Sequence, residues 1–283
     1  SELLIRCYKS MKNQTNKNFI WMVVDDGSSD NTKEVVNKWM LEKNDFEIEY
    51  YYKNNEGLHT AYNEAISHIN TELSVCIDSD DFMPNDAVEK ILSFWSKNGS
   101  KKYAGIIGLD CYLDGNVIGD KLPEQKSINL IDLMTGKYKI KNGDRTNVVR
   151  TELYKKYAPM RVFLGEKNFN PHYMHLQMSK EFDFLVLNEN LHYVEYQADG
   201  MSNSMLKQYK SSPNSFIETR KLYLSFPDTS FGFKYRHSIH LVSSCILIGK
   251  LDRALKESPC KNITILAIPF GWFLSVYIRF RVR

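Results

Sequence analysis

Cysteine is scarce and unpatterned. Cys7, Cys76, Cys111, Cys245 and Cys260 show no C-x-x-C spacing. That argues against a zinc ribbon and a disulfide framework, and it reads as reduced thiols in a cytosolic protein. There is no P-loop, no G-x-S-x-G elbow and no nucleic-acid motif, so nucleic acid is not expected as a partner. The uncharged run at residues 263–278 is sixteen long and is broken by Pro269 and Gly271. It falls short of the ~17–25 residues that span a bilayer. Internal repeats, low-complexity tracts and a secretory signal are also missing, and the chain opens on Ser1 rather than Met, which reads as a trimmed start.

What is present is ordinary globular composition, 43% hydrophobic and 25% charged over 283 residues. Charge is unevenly placed. Residues 1–199 carry 24 Lys/Arg against 30 Asp/Glu, whereas residues 200–283 carry 13 against 4. An acidic front fits a metal or sugar site, and a basic rear fits an anionic surface partner. We therefore divide the chain at residues 1–200 and 201–283.

The front half alternates. Leu3, Leu4, Cys7, Tyr8 and Met11 have helical spacing, and IWMVV (20–24) is a buried strand ending at Asp25-Asp26-Gly27. Val35, Val36, Trp39 and Met40 mark the next helix, FEIEYYY (46–52) a strand, and residues 60–69 another helix. LSVCI (73–77) is a third strand running into Asp78, Asp80 and Asp81. Pro84-Asn85-Asp86 then opens a helix with Val88, Ile91, Leu92 and Trp95. AGIIGLDCYLD (104–114) and residues 184–197 add strands. The order predicts an α/β fold, a mostly parallel Rossmann-like sheet flanked by helices, with ligands at the carboxyl ends of its strands.

Both aspartate clusters fall at such ends. In DDGSSDNT (25–32) a cap and a turn account for Gly27 and one of Asp30, Asn31 and Thr32, but not for two consecutive carboxylates. A carboxylate there can accept the imide N–H of a uracil or thymine ring. In DSDD (78–81) the helix cap is already supplied at Asn85 or Asp86, so the earlier carboxylates are surplus to capping. Their mutual repulsion calls for a counter-cation. A hard divalent ion with oxygen ligands, itself holding phosphate oxygens, meets that need.

VVDDGSSDNT, NEGLHTAYNEAI and CIDSDD together resemble the family 2 glycosyltransferases, over about residues 1–200. The resemblance implies a GT-A fold with a helical C-terminal extension and an inverting, Mn2+- or Mg2+-dependent transfer from a nucleotide sugar (a UDP-sugar favoured) to a hydroxyl. By matching positions, Asp25 and Asp26 correspond to the base-binding pair. Asp78 and Asp80, the D-x-D motif, correspond to the metal and ribose/diphosphate carboxylates. His59 and Asn63 lie in the stretch that meets the donor. The family's first strand and its loop over the nucleotide would precede Ser1, and Leu58-His59 stands where a basic residue is usual.

The acceptor's proton is taken by a carboxylate or an imidazole. The resemblance places that base in LGEKNFNPH (164–172), with Glu166 the first candidate and His172, standing where relatives carry another acid, the second; the other reading of Glu166 is an ion pair with Lys167 or a nearby arginine. EYQADGMS (195–202), with Asp199, corresponds to the loop closing on donor phosphates, although Asp199-Gly200 is also an ordinary turn.

The tail's aromatic run followed by RFRVR fits a segment lying in an anionic membrane interface. The other reading, a helix packed on the domain or on another subunit, leaves self-association open. Together these features point to a capsule or surface-polysaccharide enzyme at the inner face of the cell membrane. Its acceptor would be a glycan, in particular one linked to polyprenyl diphosphate. A sugar nucleotidyltransferase and a non-catalytic scaffold of the same fold are the rivals.

Overall fold

The computed structural model describes residues 2–197, 200 and 204–282. They form two compact units. The first comprises the chain up to Asn55, Ala61–Pro159 and Met174–Glu195; the second comprises Glu56–Thr60, Met160–Tyr173 and the chain from Tyr196.

In the first unit, α1 (Glu2–Lys12) buries Cys7, Tyr8 and Met11, the stripe its spacing predicts. Strand β1 (Ile20–Asp26) pairs in parallel with β2 (Glu47–Lys53), bringing Asp25 beside Tyr52 and Asp26 beside Lys53. Helix α2 (Thr32–Leu41) connects them and buries Val36 and Trp39. The ring of Tyr8 stacks on Trp39 at 4.1 Å and on Trp21 at 5.8 Å, so three elements share one aromatic nucleus.

Helix α3 (Leu58–His68) precedes β3 (Leu73–Ser74), and α4 (Ala87–Asn98) buries Ala87, Val88, Ile91 and Trp95. The remaining strands are β4 (Tyr103–Cys111), β5 (Ser127–Ile128), β6 (Arg145–Arg150) and β7 (Asp183–Tyr193), with short helices α5 (Leu130–Met134), α6 (Thr151–Tyr157) and α7 (His172–Met178) among them. The five-stranded sheet has the order β3-β6-β4-β7-β5. Eight of the nine residues of β4 are buried, as expected for a central strand covered on both faces.

Two expectations change. LSVCI pairs only through Leu73 and Ser74; beyond them the Asp81 N–H closes a turn on the Asp78 carbonyl at 3.0 Å, taking the chain out of the ladder. The sheet is also mixed rather than mostly parallel. The β1–β2 and β4–β7 pairings are parallel, but β3–β6, β4–β6 and β5–β7 are antiparallel. Two of these pairings come from β6, whose sequence RTNVVR shows neither a clean alternation nor an apolar run, yet it lies between β3 and β4; the third comes from the two-residue β5 at the sheet edge.

The second unit is largely helical: α8 (Met205–Ser211), α9 (Pro213–Leu224), α10 (Phe231–Leu247), α11 (Leu251–Glu257), α12 (Lys261–Leu266) and α13 (Ile268–Arg281). Ile217, Leu224, Leu241, Val242, Cys245 and Ala254 form its core around α10. No helix among the described residues is long and apolar enough to cross a membrane.

Candidate functional site

Asp25 and Asp26 end β1 where Gly27 takes φ +82°, a left-handed turn that a side chain disfavours. A Cβ at Gly27 would also sit 2.6 Å from the Asn55 backbone nitrogen. The buried Asp25 carboxylate accepts the Ser28 N–H at 2.7 Å on one oxygen and the Tyr50 hydroxyl at 2.7 Å on the other. It thereby holds the turn shut, and burial with this carboxylate pushes the Tyr50 phenol far above its usual range. Asp26 takes Lys53 Nζ at 2.8 Å, the partner the parallel register supplies.

Asp78, Asp80 and Asp81 each offer an oxygen within 4.8 Å of the others. Among the described residues, no lysine, arginine or histidine is ion-paired with any of the three. Enclosure by surrounding protein, then the Asp80 and Asp144 carboxylates, hold Asp78 above the usual carboxylate range, although its edge stays open to solvent. Burial first, then Asp78 and Asp80, push Asp81 up to about 7, against a hydrogen bond from the Glu195 backbone. Three carboxylates that raise one another, all hard oxygen donors, fit a divalent cation.

Two residues that sequence reasoning missed belong here. Arg6, on α1, donates from Nη1 to Glu195 Oε2 at 2.5 Å and from Nη2 to the Asp80 carbonyl, and its guanidinium lies 4.9 Å above the Phe82 ring. Phe82 in turn stacks on Tyr193 at 5.1 Å and exchanges backbone hydrogen bonds with it. Arg6 thus ties the acidic loop to the end of β7 without neutralising a carboxylate of the cluster. Asp110, near the end of β4, is 6% exposed and accepts the Thr146 hydroxyl at 2.5 Å. Burial pushes it up to about 7; Asp144 and Asp78 add to the rise, while the Thr146 bond and Arg145 oppose it. An acid set in an otherwise apolar strand was the one available signal for Asp110. Arg6 carried none.

The other sequence candidates are distributed differently. Asn63 is half-buried on α3 in the first unit. His59, Glu166 and His172 belong to the second unit, and Asp199 lies outside the described residues. His59 has no exposed surface and its ring sits 6.2 Å from that of Phe169. Gly57 (φ +102°) comes so close to Lys167 that a Cβ would overlap its backbone, and the Leu58 N–H donates to the Lys167 carbonyl at 3.2 Å.

Glu166 is 6% exposed. One of its oxygens accepts the Asn214 backbone N–H and side-chain amide, and the other the Ser215 N–H and hydroxyl, all at 2.8 Å. It therefore stands at the N-terminus of α9, meeting orphan N–H groups and the positive end of the dipole, rather than pairing with Lys167 or an arginine. His172 opens α7, its N–H donating to Asn170 Oδ1 at 2.8 Å; burial lowers its imidazole to about 4, so it is neutral at pH 7.

The glycosyl transferase family 2 model matches residues 1–158, more than half of the chain, and the protein belongs to that family. An uncharacterized glycosyltransferase of Rickettsia conorii is 36% identical over 94 residues, 33% of this chain and 15% of that protein. One of Haemophilus influenzae is 30% identical over 127 residues, 45% of this chain and 50% of that protein. The chondroitin synthase of Escherichia coli is 26% identical over 248 residues, covering 78% of this chain and 34% of the synthase. The chain thus spans half or less of the length of these relatives.

Among solved structures, S. aureus TarS 1-349 in complex with UDP-GlcNAc superposes with a TM-score of 0.61 at 14% identity, covering 99% of this chain and 88% of that one. The mannosyltransferase PcManGT from Pyrobaculum calidifontis, in complex with GDP-Man and Mn2+, gives 0.57 at 13% identity, covering 100% and 84%. At such identities the likeness establishes the fold, which is GT-A.

Proposed function

We propose that the protein is an inverting glycosyltransferase that moves a sugar from a nucleoside-diphosphate sugar, a UDP-sugar foremost, to a hydroxyl of a glycan acceptor. The carrying observation is the convergence of Asp78, Asp80 and Asp81 within 4.8 Å, with no paired cation among the described residues, in a chain of this family. Asp78 and Asp80, joined by Asp81, would hold Mn2+ or Mg2+; such an ion stabilises the charge of a departing diphosphate. Asp26 and the turn fixed by Asp25 and Gly27 would border the nucleobase, while Asn63 and Asp199 belong to the donor side. The burial of His59 favours positioning of α3 over direct contact with phosphate.

The acceptor's proton goes to His172 or Glu166. His172 is neutral at pH 7 and so free to accept a proton, but lowered to about 4 it is a weak base; what counts against Glu166 is that four donors already occupy its oxygens. The similar proteins include chondroitin synthases, of Escherichia coli and of Pasteurella multocida. They support a role in surface-polysaccharide synthesis, and the basic stretch from residue 200 onward supports an acceptor linked to polyprenyl diphosphate at the inner face of the cell membrane.

The test is a thermal-shift titration with UDP, dTDP and GDP, each with and without Mn2+. A ligand binding only the folded state raises the apparent Tm by mass action. A Mn2+-dependent shift with one diphosphate, lost in Asp80→Ala, is expected. Absence of any shift would overturn the reading.

A further inference from the structure

Helix α13 is built inside out. Gly271, Ser275 and Ile278, spaced to share one face, are buried. Gly271 lets that face approach α10 closely, since a Cβ there would overlap Val242 and sit 3.0 Å from the Ile239 carbonyl. The large residues point the other way: Phe270, Trp272, Phe273, Val276, Tyr277 and Phe280 are 43–66% exposed. Ile265 and Leu266 of α12, 52% and 60% exposed, extend the surface. Isolated exposed apolar residues need no explanation, but a contiguous aromatic face does.

Charge selects the occupant. Residues 261–283 contain Lys261, Arg279, Arg281 and Arg283 and no acid. On the helix's angular period, Arg279 and Arg281 flank the two edges of the exposed arc. A two-fold contact between copies would bring this acid-free surface against itself, with no carboxylate of its own to pair those cations. An anionic lipid surface pairs them, takes up the aliphatic and phenyl groups, and suits Trp and Tyr at headgroup depth. Fourteen residues at ~1.5 Å rise give about 21 Å, below the ~30 Å hydrocarbon thickness, and the inner face is held by α10. The helix therefore lies flat.

We propose that the α12–α13 face seats the protein on an anionic bilayer, with α13 parallel to the surface and its aromatic arc in the headgroup region. This rests on the membrane-proximal part of the function proposed above and is independent of the transfer chemistry.

Tryptophan supplies the probe. Of the four in the chain, Trp21, Trp39 and Trp95 are buried and Trp272 is 51% exposed. The full chain is mixed with phosphatidylcholine vesicles, with or without about one-third phosphatidylglycerol, at low salt. On the anionic vesicles we expect co-flotation, a blue-shifted emission and quenching by brominated acyl chains. Partition should be at least tenfold weaker without the anionic lipid. Phe273→Ser with Phe280→Ser should reduce it at least tenfold, and Arg279→Glu with Arg281→Glu should abolish it on anionic vesicles. Phe273, Phe280 and Arg281 are exposed, so the Tm of the phenylalanine variant and of Arg281→Glu alone should hold. Arg279 also donates from Nη2 to the Ile246 carbonyl at 3.0 Å, so Arg281→Glu by itself, expected to weaken the partition, is the charge control free of that bond.

No flotation on anionic vesicles would overturn the proposal, and so would a dimer dissolved by the phenylalanine variant. UDP–Mn2+ thermal shifts on the same samples separate the two readings. Lost flotation with a retained shift removes only the membrane face, whereas retained flotation without a shift removes only the donor site.

Discussion

Glu166→Gln separates a proton acceptor from a helix cap. The side chain is nearly isosteric, but one carboxylate oxygen becomes an NH2 group facing two donors, either the Asn214 pair or the Ser215 pair. Two hydrogen bonds to a charged acceptor are lost, each worth about 1.5–3 kcal/mol, and a backbone N–H near the start of α9 is left without its acceptor. The charge that complements the helix dipole also goes, at ~0.3–1 kcal/mol. Allowing for relaxation, the cap reading puts the cost at roughly 3–5 kcal/mol, a fall in Tm on the order of 10 °C for a chain of this size. The assay pairs thermal unfolding with turnover normalised to the folded fraction, counted by UDP–Mn2+ titration. We expect the Tm to fall while normalised kcat stays within about tenfold. A Tm unchanged within 2 °C or so, with kcat down by ~10²–10⁴-fold, would refute the cap reading and make Glu166 the general base.

Three further outcomes follow from the first unit. Arg6→Ala removes the link between the Asp80 carbonyl and Glu195, and should weaken Mn2+-dependent UDP binding about 10–100-fold, the usual cost of losing a group that orients metal ligands; unchanged affinity would refute it. Gly27→Ala meets a φ of +82° and the Asn55 nitrogen, so it should cost at least ~1–2 kcal/mol in urea unfolding and raise the UDP Kd; wild-type behaviour in both would contradict the turn's role. Asp110, raised to about 7 when folded against ~3.9 unfolded, keeps its proton in the native state where the unfolded chain has released it. Its contribution is full below pH ~4 and declines through pH 7, by up to ~4 kcal/mol, so Asp110→Asn should gain stability relative to the parent between pH 5 and pH 8; a pH-independent difference would contradict this.

The parts of the fold legible in the sequence are those written in local period. The helix, strand and turn order up to Trp95 follows from spacing that neighbours only a few residues apart can set, and α1, β1, α2, β2 and α4 form as expected. The carboxylate cluster was legible for a similar reason, since repulsion among adjacent acids is visible without a structure. Pairing was not. β6 has no strand-like pattern, yet its Thr146 meets Asp110 and its backbone joins β3 to β4. Arg6 reaches Glu195 across 189 positions, and Glu166 finds its four donors 48 and 49 positions away. Such contacts are selected by the folded surface as a whole, and short-range periodicity carries no record of them.

The unbalanced charge of the acidic loop yields a last, sharper expectation. Burial first, and then the crowding by Asp78 and Asp80, hold Asp81 near 7, and the guanidinium of Arg6 meets a carbonyl there rather than a carboxylate of the cluster. A divalent cation reverses that situation, since it favours the ionised form of every carboxylate around it. Binding below pH 7 must therefore expel the Asp81 proton. For Mn2+ alone, without nucleotide, log K should rise by close to one per pH unit between about pH 5 and 6.5 and level off above about 7.5. That gives roughly a tenfold gain from pH 6 to pH 8. Calorimetry at pH 6 in two buffers of different ionisation enthalpy should register close to one proton released per ion. Asp81→Asn should abolish the release and leave weaker binding that no longer depends on pH in this range. An affinity flat from pH 6 to 8 in the unaltered protein would mean that Asp81 takes no part in holding the ion, leaving Asp78 and Asp80 to hold it.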